Sequence, residues 1–548
     1  MVSPSKKKRR RRDRLSDLPD DLLGHVLSFL PAEEAGRTAV LSCRWRRALE
    51  LVETISFKPL PTIDVDDENR RLVDRVTNAL VARRRGCGDM PLRCFRVAMH
   101  RYAPPDNYAL DKWLSYTCSH GVQELRLETA MHGHAYTGGC YIVGTDGYDD
   151  ESSSDSSDDL DGTDGYDNLD GNDGYNDLDG NDSYDSSWDS DGYDDSDGSS
   201  HYDSGHSDSE TPTRYDVPAC ARLQYDISPE LFCCATLRAL HLVSCSLPPR
   251  QLPSTIHLPS LETLSLTKIT YTSRQISGEN MQRVISCCPR LADLTLEACR
   301  QMTDITVKRL TSFAVRCCHR VHRVTIDDTW ETLQAFEYRG DASSCEFTLV
   351  GDAPRRIASA KIQVCSSGKK KKKKIDFEGL RKLLLLLVNA RHLHLGWPDV
   401  SDEALWTEEY DDFHTLHFPG FHNLKMLELG CHCTDPRVGD RVAGVLRQTP
   451  NLTALVIGFE SWDQNYGVLD VSKVAVPCLR ERVKEMRVEQ YDEGVKLQKQ
   501  LLKWLLGHAL VDESVRVVLK RGRYTVPDYL VNEIRSWAPN PATRITLS

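Results

Sequence analysis

Apolar residues recur along most of this chain in one short pattern: apolar, two residues, apolar, one residue, apolar. It appears at Leu237/Leu240/Leu242, Leu261/Leu264/Leu266, Leu291/Leu294/Leu296 and Val321/Val324/Ile326. It returns at Leu424/Leu427/Leu429, Leu452/Leu455/Ile457 and Val483/Met486/Val488, with an early copy at Val122/Leu125/Leu127 and a weaker one at Leu393/Leu395. Two poorer copies, around Phe347/Leu349 and Ile362/Val364, fit between Val321 and Leu393. Alternation at period two predicts a short strand with one side on a core. Gly278–Cys288 and Val438–Arg447 read as helices that carry the chain back, and Pro289–Leu291 and Pro450–Leu452 lead into the next strands. One such unit cannot bury its apolar side alone, so the units must stack into a solenoid of parallel strands with helical or irregular returns.

A helical period governs residues 13–57 instead. Leu18, Leu22, Val26 and Phe29 fall along one side, and Leu23, Leu27 and Leu30 line a neighbouring side. Ser16 or Asp17 can cap this helix, with Pro19 near its first turn, where a missing N–H costs nothing. Pro31 breaks the chain and opens a second helix through Glu33 and Glu34, acids suited to a helix N-terminus. Ser42 can cap a third helix from Cys43 to about Leu51, with Trp45 and Leu49 four residues apart. Three short helices with two apolar faces cannot bury both, so one face needs a partner.

Composition adds a discontinuity. The 548 residues carry a net charge of −12, yet Asp146 to Glu210 alone holds about 24 acids and no Lys or Arg. The remainder is therefore basic by about the same amount as the whole chain is acidic. This acidic stretch is rich in Asp, Gly, Ser and Tyr and nearly free of aliphatics, so it is expected to be a disordered insert. It repeats itself at Leu160, Leu169 and Leu178, but lacks the glycine pair of a calcium-binding β-roll. No apolar run approaches about 18 residues, so no membrane span is expected. The 19 cysteines include adjacent pairs and follow no small-scaffold spacing, which reads as reduced, partly buried thiols.

The segments LPDDLLGHVLSFLP (18–31) and EAGRTAVLSCRWR (34–46) together resemble the plant F-box motif, whose elements appear here in order. That resemblance implies docking onto a Skp1-like adaptor and, through it, a cullin–RING ubiquitin ligase. It carries adaptor contact onto Leu18, Pro19, Leu22, Val26, Leu27, Leu30 and Pro31. Gly24 departs from the pattern at a helical cost of about 1 kcal/mol. The stacked units are similar to the leucine-rich repeats that follow F-boxes in many plant proteins. Pro477 to Gly522 resembles the FBD region found at their C-terminus and reads as a capping last repeat. The expected fold is α/β: a small helical F-box, then a leucine-rich-repeat solenoid interrupted by the acidic insert. The boundaries are a basic tail at 1–12, the F-box at 13–57, linker and first repeats at 58–143, the insert at 144–214, repeats at 215–476, the FBD-like region at 477–522 and a C-terminal tail at 523–548.

Enzyme chemistry finds no footing: G-x-S-x-G, Walker, G-x-G-x-x-G and H-E-x-x-H motifs are all missing from the sequence. No catalytic residue, cofactor or metal is assigned. Cys431, His432 and Cys433, with His417 and His422 upstream, do not make the two spaced pairs of a zinc site. Lys6–Arg12 is a dense basic run that reads as a nuclear import signal, a nucleic-acid arm or a solubilising tail. Nucleic-acid binding is not expected, because no folded reader accompanies it. Lys369–Lys374 is a second basic run, read as a surface loop. The expected role is a non-catalytic, target-recruiting ligase subunit in nucleus or cytoplasm. A non-degradative repeat scaffold and a nuclear chromatin factor stand as alternatives, and the target protein is not legible.

Overall fold

A computed structural model describes residues 18–38, 40–60, 64–87, 90–130, 224–247, 252, 256–271, 277–299, 302–327, 332–340, 345–350, 357–364, 377–396, 418–431, 438–459, 469, 476–509, 514–520, 527–540 and 543–548. The basic tail, the Ser16/Asp17 cap, the acidic insert with its repeats and the Lys369–Lys374 run lie outside the described residues.

Strand adds to strand in chain order, all parallel, to make one 15-stranded sheet running from Thr54–Phe57 to Arg544–Leu547. The apolar pattern sets its register. Leu125 aligns with Leu240, Leu264 and Leu294 in succession, and beside them runs a second row of Leu127, Leu242, Leu266 and Leu296. Farther on, Leu393, Leu427, Leu455, Met486, Val515 and Ile545 continue the first row. These side chains are buried and belong to one continuous core, each contributing ~1.5–3 kcal/mol of burial. The returns bring helices at Ser277–Ser286, Phe377–Leu385, Val438–Arg447 and Lys496–His508 against that core.

Three expectations need correction. Val321/Val324/Ile326 and Phe347/Leu349 do not belong to the main sheet. Val321 just precedes the strand Arg323–Asp327, which carries Val324 and Ile326 and lies between Asp304–Lys308 and Glu346–Val350 (the strand of Phe347 and Leu349) in a separate three-stranded sheet. Here the return segments are themselves strands, and an inward-facing return alternates apolar and polar residues just as a main strand does. The main sheet is served by Phe313/Val315 and Phe336/Tyr338 instead. Secondly, strands Thr54–Phe57 and Cys94–Ala98 precede the earliest copy read from the sequence, so the sheet starts at the very end of the F-box. Thirdly, the residues after Gly522, read as a tail, include the helix Asp528–Trp537 and the strand Arg544–Leu547, with Leu530, Ile534 and Ile545 in the core.

At the end of successive strands the chain turns by the same device. Ser244, Lys268, Ala298 and Cys317 have φ of 58°, 53°, 52° and 52°, the left-handed region that L side chains seldom occupy. Each gives its N–H to a carbonyl at the end of the next strand: Ser244 to Thr267, Lys268 to Glu297, Ala298 to Arg316 and Cys317 to Arg339, the last but one of its strand. The twist turns the following residue inward, burying Cys245, Ile269, Cys299 and Cys318. Cys299 and Cys318 then donate their S–H to Leu266 and Leu296 carbonyls on the preceding strands, 3.5 and 3.7 Å away. A small weak donor fits a corner where backbone carbonyls would otherwise lack partners.

Candidate docking faces

The first face belongs to three helices: α1 (Asp20–Leu27), α2 (Ala32–Thr38) and α3 (Cys43–Glu50). Asp20 and Asp21 occupy the first turn of α1, where acids suit the helix dipole. Arg44 on α3 fastens that turn, pairing with Asp20 at 2.7 Å and hydrogen-bonding the Leu18 carbonyl. Ser42 caps α3 by accepting the Trp45 N–H at 3.3 Å. Leu23 and Leu27 of α1 pack with Ala35, Ala48 and Val52 into a core separate from that of the repeats. Gly24 stands where α1 meets α3. A Cβ there would come within 3.0 Å of Leu51 Cβ and 3.2 Å of the Ala48 carbonyl. The glycine that costs helix propensity is what lets the two helices close.

The opposite side of α1 is uncovered. Leu22 is 50% exposed, Val26 40% and Phe29 75%. Phe29 meets His25 edge-to-face at 5.0 Å, so its ring is held on that side. Pro19 and Pro31 are exposed, while Leu18 and Leu30 are half-buried against the small core. Leu27 is the exception among the expected contact residues. At 1% exposure it is a core residue and offers no surface. Sequence reasoning also missed Val40 and Leu41, which are 84% and 73% exposed between α2 and α3. Two adjacent aliphatics before the cap Ser42, with no helical partner at either side, were the available signal.

This module is fixed to the sheet. The helix α4 (Val65–Cys87) buries Leu72, Val76 and Leu80 in the main core. Arg83 on α4 is 8% exposed and donates to the Val52 carbonyl at 2.5 Å and the Pro91 carbonyl at 3.0 Å, tying the end of the F-box to the first repeat. Arg75 reaches Glu33 of α2 at 3.3 Å and the buried Glu68 at 2.6 Å, and Glu68 also accepts the Leu60 N–H. The joint is made of charge-assisted bonds with little solvent access, the kind that hold geometry.

The second face is the outward side of the sheet. Its middle row runs Arg96, Arg126, His241, Ser265, Thr295, Ala314, Glu337, Lys361, His394, Glu428, Val456, Arg487 and Arg516. Charges cluster at two places. Arg96 pairs with Glu124 and Arg126 with Glu128 near the start. Farther along, Arg316 bridges Glu337 at 2.6 Å and Glu297 at 3.5 Å, Lys361 approaches Glu337 at 3.8 Å, and His394 meets Glu428 at 3.0 Å. Burial pushes the Glu337 carboxyl up, but the Arg316 hydrogen bond and the neighbouring cations overcome it and hold it below the usual range. The His394 contact lowers Glu428 likewise. Between the clusters lies a stretch of short side chains: Ala239, Thr263, Ser265, Thr295, Ser312 and Ala314. Such a face offers shape and paired charge for binding.

Among the described residues no group of three or more His, Cys, Asp or Glu is arranged to hold a metal. Cys431 is buried and His422 exposed, while His417, His432 and Cys433 lie outside the described residues. No helix among them is long and apolar enough to cross a membrane.

The chain is thus a helical module with one uncovered side joined to a repeat protein's stacked parallel sheet. Comparison with known proteins agrees. Residues 15–55 match the F-box domain, and residues 216–354 match the family described as FBD-associated F-box protein At5g56370, LRR repeats. The chain is similar to the Arabidopsis thaliana F-box protein At3g59000, at 30% identity over 122 residues, 21% of this chain and 24% of that protein. It is 33% identical over 126 residues to the F-box/LRR-repeat protein At4g14096, covering 22% and 25%, and 33% identical over 122 residues to the F-box/LRR-repeat protein At4g14103, covering 21% and 30%. The chain thus spans less than a third of the length of these curated relatives. With the fold, these matches show an F-box domain followed by leucine-rich repeats, similar to those of plant F-box/LRR-repeat proteins.

Proposed function

We propose that this protein is the target-recruiting subunit of a Skp1–cullin–F-box ubiquitin ligase. A Skp1-like adaptor docks on the face formed by Leu22, Val26 and Phe29, edged by Leu18, Pro19, Leu30 and Pro31, and a target protein is held by the outward side of the sheet. The chain itself breaks no bonds. It raises the effective concentration of a target beside the partner subunits that transfer ubiquitin. The observation that carries the reading is the division of α1: Leu23 and Leu27 complete a small core, while Leu22, Val26 and Phe29 stay in water. Neighbouring apolar side chains left exposed on a charged module mark an interaction site. The protein would act in nucleus or cytoplasm, where such ligases meet their targets. Capture by an immobilised Skp1-like protein tests the proposal. Wild-type chain is retained and the Pro19→Ala/Leu22→Ala double variant is lost; equal retention of the two would overturn the docking face, and no retention of wild type would favour a scaffold outside any ligase.

A further inference from the structure

Arg96, Arg126, Arg316, Lys361 and Arg487, on the outward side of the sheet, each have a carboxylate of the chain within 4 Å. Along one rim, just before the strands begin, that balance changes. Arg391 precedes the strand His392–Gly396, and Lys425 precedes Met426–Cys431. Both are exposed, and among the described residues neither stands in an ion pair. The two are fixed side by side. The Lys425 N–H bonds the Arg391 carbonyl at 2.8 Å, the Thr453 N–H bonds the Lys425 carbonyl at 2.9 Å and the Lys484 N–H bonds the Thr453 carbonyl at 2.8 Å. The ladder therefore continues one residue beyond the strands. It holds Arg391 and Lys425 on neighbouring strands about 4.8 Å apart, with the exposed Lys484 two steps farther along the row. Like charges on neighbouring strands repel each other, and a bound anion relieves them.

Two residues back runs a row of amides. Asn423 Nδ2 donates to Asn389 Oδ1 at 3.0 Å, and Asn451 Nδ2 donates to the His422 carbonyl at 2.9 Å. These bonds hold the Asn423 and Asn451 side chains and leave both of their Oδ1 atoms without a donor among the described residues. The rim thus sets a row of positive charge beside a row of hydrogen-bond acceptors. An extended acidic peptide matches both, since its carboxylates meet Arg391 and Lys425 while its main-chain N–H groups meet the amide oxygens. A nucleic acid matches less well. Its phosphates would meet the cations, but its backbone brings no donor for those oxygens. The exposed aromatic residues Phe29, Tyr108 and Tyr529 all lie elsewhere, so none stands on this rim to stack a base.

We propose that this rim, at Arg391 and Lys425 with Lys484 beyond them, binds an extended Asp- and Glu-rich segment of the recruited target. The proposal rests on the reading of the sheet as the surface that holds a target, and it names the part of the sheet and the chemistry of the segment. It does not require adaptor docking.

Fluorescence anisotropy of the full chain with a dye-labelled octapeptide of alternating Asp and Ala tests this. Arg391→Gln/Lys425→Gln should weaken binding about tenfold, roughly threefold for each exposed charge pair, and flatten its dependence on salt. Arg391→Lys/Lys425→Arg keeps both charges, and Arg84→Gln/Arg85→Gln removes two exposed charges from α4; both should bind within about twofold of wild type. Pro19→Ala/Leu22→Ala should also bind the peptide as wild type does, so failure of adaptor docking and failure of this site are read separately. Equal weakening by the α4 variant would show a response to net charge alone and overturn the proposal. So would wild type that binds the Asp peptide no better than its Asn counterpart. Tighter binding of a labelled thymidine octanucleotide through the same two residues would assign the rim to nucleic acid and overturn it as well.

Discussion

Two residues two positions apart on the F-box, Leu27 and Phe29, should separate stability from docking. Phe29 is 75% exposed, so the free protein draws little from its ring, and Phe29→Ala should leave stability within about 0.5 kcal/mol. Full burial of a phenylalanine is worth ~1.5–3 kcal/mol, of which three-quarters is unused here, or up to about 2 kcal/mol. Claimed by a partner, that is roughly a thirty-fold change in Kd, since 1.4 kcal/mol is tenfold. Leu27 is the reverse case. It is 1% exposed in a core of five buried residues, and Leu27→Ala should cost about 2–5 kcal/mol by transfer and cavity terms together. So large a loss in so small a module should unfold it locally. The assay is titration calorimetry against a Skp1-like protein alongside hydrogen exchange of α1. Phe29→Ala should lose affinity with unchanged amide protection, and Leu27→Ala should lose protection first and affinity as a consequence. Phe29→Ala binding within about threefold of wild type would refute the reasoning, because the exposed ring would then have no partner.

Other outcomes follow from the same contacts. Gly24→Ala should destabilise the F-box by about 1 kcal/mol or more, read from protection of α1, because overpacking against Leu51 and Ala48 exceeds the gain in helix propensity. Glu337 has its folded-state carboxyl below the ordinary 4.5, so its contribution is present above about that pH and is lost as pH falls through the lowered value. The melting difference between wild type and Arg316→Met should therefore be widest near neutrality and close in acid; a difference independent of pH would remove Arg316 as its cause. Ala298→Val should cost about 1–2 kcal/mol in thermal unfolding, since a β-branched residue resists φ near 52°, whereas Ala298→Gly should be neutral or stabilising.

Much of the sheet was legible because buried parallel strands repeat leucine in fixed register. Leu240, Leu264 and Leu294, or Leu427 and Leu455, announce themselves. Legibility failed where chemistry changed while geometry did not. Phe313, Phe336 and Tyr338 hold main-sheet positions without a leucine among them, while the return strand with Val324 and Ile326 carried the better pattern. Alternation reports that one side is buried, and it cannot say which sheet buries it. Helical period alone separated Leu22, Val26 and Phe29 from Leu23 and Leu27, and the packing of α3 against α1 covers the second group. Contact at Leu27 came from the F-box resemblance, which does not say which side of α1 its own core covers. Val40 and Leu41 lie outside any periodic element, so no period could reveal them.

The bond from Arg83 to the Val52 carbonyl has a consequence for distance. Because the first strand follows directly from the F-box and every later strand adds beside the last, position along the sheet is counted in steps of about 4.8 Å from a fixed origin. Whatever settles on the strand holding His241 is several such steps nearer that origin than whatever settles on the strand holding Glu428. The sheet works as a graduated rule, and the choice of strand on which a ligand rests sets how far it stands from anything attached at α1.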